Sequence, residues 1–215
     1  MPASNLSVYV IDDEADVRKS LHFLLSTSGI RTWPFAGGQD FVDQLSGLEP
    51  APILLDVRMP GIDGFGVMAE LAARDLDWPV IIMTAHGDVP VAVRAMKLGA
   101  IEFIEKPFSA DDLEIAVRRG FALLEEDRER RDRQVEARHR LDALSPRERE
   151  VIGQLVKGAP NKVAAHLMAL STRTIEMHRA NALQKLGLRS LAEAASLIST
   201  ARLETFSVKT ARKSF

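Results

Sequence analysis

The 215 residues hold 28 Lys and Arg, 30 Asp and Glu, no Cys and 46% apolar residues, the composition of an ordinary globular protein. Lack of Cys excludes a disulfide framework and a thiolate metal site, and no apolar run reaches the roughly 18 residues that a membrane helix needs. The net charge of −2 is unevenly spread: residues 1–124 carry 10 basic and 18 acidic side chains, 125–143 carry 6 and 7, and 144–215 carry 12 and 5, so only the last part suits a polyanion.

In chain order, strands are predicted near 7–12, 31–35, 52–56, 79–83 and 101–104, with helices near 14–28, 38–47, 64–74, 88–98 and from 110 onward. Alternation of this kind makes a parallel sheet with helices on both faces, here a flavodoxin-like α/β domain over residues 1–124. Residues 125–143 are densely charged with both signs at helical spacing and contain neither Gly nor Pro, which predicts a solvated helical linker continuing the fifth helix. From 144 to 204 the pattern is all-α. Ser145-Pro146-Arg147-Glu148 is a capping box, a short helix follows at 161–168, Ser171 or Thr172 caps a third helix ending at Leu186-Gly187, and Ser190 caps a fourth over 191–203. Two short helices joined by a tight turn, the second polar and basic, form a helix-turn-helix. The tail 205–215 reads as disordered.

Four apolar runs end in chemistry. Val8–Ile11 ends in Asp12-Asp13-Glu14, Ile53–Leu55 in Asp56, Val80–Met83 in Thr84, and Ile101–Ile104 in Glu105-Lys106-Pro107. Ligands of open α/β sheets bind at the carboxyl ends of the strands. Carboxylates, a hydroxyl and an ammonium gathered there suit a divalent cation and a phosphoryl group. Mg2+ (or Mn2+) takes oxygen ligands, for which Asp12, Asp13, Asp56 and the backbone carbonyl of Arg58 are candidates. Asp56 is the candidate nucleophile, with Thr84 and Lys106 to stabilise phosphoryl oxygens. Each piece has an ordinary reading alone: Asp12-Asp13-Glu14 as a helix start, Thr84 as a strand-end hydroxyl, Lys106 as a solvated cation, Asp63 as a turn former. Their coincidence on one edge makes those readings improbable.

Residues 1–124 resemble the receiver domain of two-component response regulators, on Asp12-Asp13, Asp56, Thr84 and Lys106-Pro107. Asp56–Pro60, Thr84–Pro90 and Phe103–Phe108 look like the FixJ branch of the FixJ/LuxR (NarL-like) family. The resemblance implies that Asp56 is the phosphoacceptor for a cognate sensor histidine kinase and that Thr84 and Phe103 form a switch. It also implies that Arg58 and His86 tune phosphate lifetime, that Lys106–Pro107 is cis, and that phosphorylation drives homodimerisation. Residues 144–203 resemble the LuxR/FixJ-type DNA-binding domain, on Leu144–Glu148, Gly158, Lys162, Ala164-Ala165, Leu167, Ser171, Thr174–His178 and Lys185–Gly187. The helix 172–186 is expected in the major groove of promoter DNA, with Ile175, Leu183 and Leu186 toward the core. Arg173, Thr174, Glu176, Met177 and Asn181 are candidates for base contacts, and Lys162, Thr172, His178, Arg179 and Lys185 for phosphate contacts.

The whole implies a cytoplasmic bacterial transcription factor that works with RNA polymerase, has no membrane partner, and is no enzyme beyond the phosphorylation chemistry of Asp56. Two alternatives are a phosphate-independent DNA-binding regulator and an aspartyl phosphohydrolase. The latter needs an acid two residues after the nucleophile, where Arg58 stands.

Overall fold

The computed structural model describes residues 6–85 and 89–202. The chain forms two compact units, the first ending at Asp127 and the second starting at Arg128.

In the first unit, β1 (Ser7–Ile11), α1 (Ala15–Thr27), β2 (Arg31–Phe35), α2 (Gly38–Gln44), β3 (Ile53–Asp56), α3 (Gly64–Ala73), β4 (Val80–Thr84), α4 (Val89–Leu98) and β5 (Glu102–Glu105) alternate and lead into α5 (Ala110–Asp142). Among the described residues the five strands make one parallel sheet of order β2-β1-β3-β4-β5, the expected flavodoxin-like order. Successive strand side chains point to opposite faces. Val8, Val10, Leu54, Ile81 and Met83 therefore meet Leu21 and Leu25 of α1 and Leu113, Ala116 and Val117 of α5. Tyr9, Ile11, Ile53, Leu55 and Ile82 meet α2, α3 and α4 through residues such as Phe41, Val67, Leu71 and Ala95. Within that layer Tyr9 stacks on Trp78 at 5.7 Å, and its hydroxyl donates to the Glu49 carbonyl at 2.8 Å, so its polar tip is satisfied.

Small departures from the sequence expectations have local causes. The helix expected at 38–47 stops at Gln44 and tightens into a 3-10 turn, Leu45–Gly47. β4 and β5 each end one residue later than expected, because Thr84 pairs with Glu105 and the Thr84 carbonyl accepts from the Lys106 amide at 2.7 Å. The Lys106–Pro107 bond is cis.

The second unit contains α6 (Pro146–Val156), α7 (Asn161–Leu167), α8 (Thr172–Leu186) and α9 (Leu191–Arg202), joined by the last turns of α5. Ser145 Oγ accepts from the Glu148 amide while the Glu148 carboxylate accepts from the Ser145 amide, so the capping box is complete. Ser171 caps α8 by accepting from the Thr174 amide at 3.0 Å, and Gly187 ends it at φ 64°, a left-handed conformation that glycine adopts freely. Ile175 packs with Val151, Leu155, Ala164 and Ala165. Leu183 and Leu186 pack with Ala137 of α5, Leu144, Ile152, and Ala194 and Leu197 of α9. Arg140 of α5 donates to the Leu186 carbonyl, and Arg138 to the Ala201 carbonyl at 3.1 Å, so cations satisfy carbonyls at or near the ends of α8 and α9.

Candidate phosphoacceptor site and nucleic-acid interface

The carboxyl edge of the sheet gathers the acids by construction. β1 ends at Ile11, so Asp12 follows at the point where the order of neighbouring strands reverses; β3 ends in Asp56 and β4 in Thr84. Asp12, Asp56 and Thr84 are buried at 0%, 7% and 2% exposure, whereas Asp13 and Arg58 are exposed. Lys106, just past β5, places Nζ 2.7 Å from Asp12 Oδ2 and 2.8 Å from Asp56 Oδ1. The remaining oxygens are also held: Asp12 Oδ1 accepts from the Glu14 amide at 2.9 Å, and Asp56 Oδ2 from the Arg58 amide at 2.7 Å. Gly64 is required behind the site, since a Cβ there would stand 2.4 Å from the Asp56 carbonyl oxygen.

Burial pushes the Asp56 carboxyl above the usual carboxylate range; Lys106 and the Arg58 amide pull the other way, and the Asp12 charge adds to the rise. Burial works against the Lys106 ammonium, but its hydrogen bonds to Asp12 and Asp56 outweigh that and raise its pKa. The pair is an acceptor-rich, half-enclosed site whose cation is held charged.

Of the predicted site residues, Asp12, Asp56 and Lys106 are in direct contact. Asp13 stands at the same strand end with its carboxylate in solvent, and among the described residues no three acidic or His side chains form a ready-made metal cage. Phe103 is partly buried and packs against the core layer of α2, α3 and α4. His86 lies outside the described residues, as does the tail 205–215. Asp63 caps α3 by accepting from the Gly66 amide at 2.7 Å. Sequence reasoning passed over Arg18, whose Nη1 donates to the Asp12 carbonyl at 2.6 Å. It is an Arg one helical turn beyond an acidic pair, too common a pattern to single out.

On α8, Ile175, Leu183 and Leu186 are buried as expected. Thr172, Arg173, Glu176, Met177 and Asn181 are exposed, with Met177 half uncovered, while Thr174, His178 and Arg179 are half-buried. Lys162 is exposed on α7. Two candidates are engaged within the fold. The Thr174 hydroxyl lies 2.8 Å from Ser171 Oγ in the cap, and Lys185 Nζ donates to Glu148 Oε2 at 2.8 Å. Glu148 is the residue sequence reasoning read only as a cap; its carboxyl is held down to about 2 by the Lys185 ammonium and then by the Ser145 amide.

The profile of the response regulator receiver domain matches residues 8–118, and that of the luxR family of bacterial regulatory proteins matches 142–198. The chain is similar to the transcriptional regulatory protein FixJ of Bradyrhizobium diazoefficiens, 42% identical over 86% of this chain and 91% of the relative. It is similar also to FixJ of Azorhizobium caulinodans, 45% identical over 90% and 91%. Among solved structures it resembles the response regulator StyR, with a TM-score of 0.75 and 35% identity over 91% of this chain and 99% of that one.

Proposed function

The chain belongs to the response regulators that join a receiver domain to a LuxR-type DNA-binding domain and regulate transcription, and on that premise we propose that Asp56 is the phosphoacceptor that controls the second unit. The observation that carries this reading is the single ammonium, Lys106, shared by Asp12 and Asp56 at the carboxyl edge of the sheet.

A sensor histidine kinase supplies the phosphoryl group: the bond from phosphorus to the donor breaks as one from phosphorus to an Asp56 oxygen forms. Asp56 is positioned for this because one oxygen is fixed by the Arg58 amide, leaving the other, now on Lys106, as the reacting atom. Lys106 then follows the charge to a phosphoryl oxygen, and the Thr84 hydroxyl donates to another. The donor set also fits a hard cation. Asp12, Asp13 and Asp56 offer carboxylate oxygens only, joined by the Arg58 carbonyl. Mg2+ or Mn2+ held there would neutralise the acids and the charge on the phosphoryl oxygens.

Movement of Thr84 toward the phosphoryl group frees space for Phe103 to turn inward, and the reshaped surface of α4 and β5 pairs with a second copy. The dimer presents two α8 helices to neighbouring major grooves of promoter DNA, about one helical turn apart, where it can meet RNA polymerase. The setting is the bacterial cytoplasm; among the described residues no helix is long and apolar enough to cross a membrane. Chemistry beyond the turnover of its own phosphate is not part of this reading, and Arg58 and His86 are its candidates for setting the phosphate lifetime.

Light scattering of wild type and Asp56→Asn in Mg2+, with and without beryllofluoride or acetyl phosphate, tests the reading. A monomer-to-dimer shift confined to wild type is expected. Phosphate incorporated at Asp56 without any change in mass or DNA affinity would refute the switch.

A further inference from the structure

We propose that Arg18 is a positioning residue for the phosphoacceptor site: it holds the peptide joining Asp12 to Asp13 and so sets where the Asp13 carboxylate stands. This rests on the phosphoacceptor reading above and extends it to a residue outside the acid, hydroxyl and lysine set.

Each hydrogen-bonding group of Asp12 has a partner. Its amide donates to the Phe35 carbonyl at 3.3 Å, its Oδ1 accepts from the Glu14 amide, and its Oδ2 accepts from Lys106. Its carbonyl accepts from Arg18 Nη1 at 2.6 Å. That carbonyl belongs to the peptide that carries Asp13. Asp13 itself is exposed, and its side chain makes no hydrogen bond or ion pair among the described residues. With no partner of its own, the Asp13 side chain is placed by its backbone, and Arg18 is one of the groups that hold that backbone, beside the Phe35 carbonyl and the Glu14 amide that fix Asp12. Arg18 is half-buried at the end of the first turn of α1, a helix fixed to the sheet through Leu21 and Leu25. Arg18 thus ties a loop to a rigid element, which is how a site is kept in geometry.

Position and charge act in opposite directions. A cation beside three carboxylates repels a divalent ion, so if Arg18 mattered only by its charge, its removal would tighten divalent binding. If it matters by holding the peptide, its removal loosens Asp13 and weakens binding. The two accounts differ in sign.

The test is Mn2+ titration of the full chain, with free Mn2+ counted by electron paramagnetic resonance. Arg18→Ala is expected to weaken binding about three- to tenfold, the upper figure corresponding to about 1.4 kcal/mol. Arg18→Lys, whose ammonium can still reach a carbonyl, is expected to recover part of the loss. Acting through Asp13, the effect should vanish in an Asp13→Asn background, where adding Arg18→Ala changes affinity by less than about twofold. Phosphate uptake from acetyl phosphate should then need more Mg2+ in Arg18→Ala yet approach the wild-type rate at saturation. A role confined to holding the fold would lower amide protection of β1 and α1 against hydrogen exchange and leave Mn2+ affinity unmoved. Unchanged or tighter Mn2+ binding in Arg18→Ala, or full additivity with Asp13→Asn, overturns the inference alone. Wild type that binds no Mn2+ overturns it together with the proposed site.

Discussion

Replacing Glu148 by Gln removes one charge and little else, and its cost can be worked from the contacts. Glu148 is 4% exposed, and Oε2 accepts from the Ser145 amide and from Lys185 Nζ, each at 2.8 Å. Gln keeps an oxygen for the Ser145 amide but loses the charge opposite Lys185. A hydrogen bond to a charged group contributes about 1.5–3 kcal/mol, and because the Lys185 side chain is 46% exposed, water recovers part of it, leaving about 1–2 kcal/mol. Glu148→Ala also loses half of the capping box, adding about 1 kcal/mol. Two units in one chain make a single melting temperature a poor measure, so protection of α6 and α8 amides against hydrogen exchange is the assay. The carboxyl is lowered from its ordinary 4.5 to about 2, so its contribution is complete above pH 4.5 and fades as pH falls toward 2. The gap between wild type and Gln should be full at pH 6 and shrink steadily from pH 4.5 downward. A gap below about 0.5 kcal/mol at pH 6, or one that ignores pH between 3 and 6, would refute the assignment of a stabilising pair.

Three further outcomes follow from local geometry. Gly64→Ala puts a Cβ 2.4 Å from the Asp56 carbonyl oxygen and is expected to cost about 1–3 kcal/mol and to slow phosphate uptake, read by hydrogen-exchange protection of β3 and α3 amides and by phosphate-affinity gels. Ala169, in the turn before α8, holds φ at 53°, a strained conformation for a residue with a Cβ; Ala169→Gly should stabilise the second unit by about 0.5 kcal/mol once Gly's entropy cost is subtracted, seen as added amide protection in α7 and α8. On operator DNA, Met177→Ala should lose affinity mainly where a thymine is contacted, about 1 kcal/mol, whereas Arg179→Ala should weaken all sequences alike; a competition assay with scrambled DNA separates the two.

Much of the fold was legible because burial on both faces writes a strand as an unbroken apolar run, as in Ile53-Leu54-Leu55, and the acid that ends it announces the sheet edge. β2 was readable despite Arg31 and Pro34 because it is an edge strand, where a missing amide costs nothing on the open side. What stayed hidden depends on tertiary contact. Within the charged run 125–143, Ala137 and Leu141 at helical spacing, followed by Leu144, belong to the core of the second unit, yet so sparse an apolar set among charges carries no signal. The site divides the same way. Asp12, Asp56 and Lys106 each close or follow a strand, and topology alone brings them together; Arg18 and Glu148 work through partners that no spacing in the sequence specifies.

That distinction changes how the basic surplus of the second half should be counted. A formal charge of +7 over residues 144–215 suggests many phosphate contacts. The fold spends several of those cations on itself: Arg147 pairs with Glu150, Arg149 with Asp142 and Lys185 with Glu148. Among the described residues of α7 and α8, Lys162, Arg173 and Arg179 are the cationic Lys and Arg side chains without an ion pair. Each neutralised phosphate contributes about −0.9 to the slope of log affinity against log salt, so these give about −2.7 for one subunit and about −5 for a dimer. Titrations of a fluorescent operator duplex from 50 to 300 mM salt measure it directly. Lys185→Met should leave the slope unchanged while weakening the fold, the reverse of what Lys162→Met should do. A Lys185→Met slope shallower by about 0.9 per subunit would mean that Lys185 leaves Glu148 for phosphate on binding, making the capping box of α6 a participant in DNA recognition.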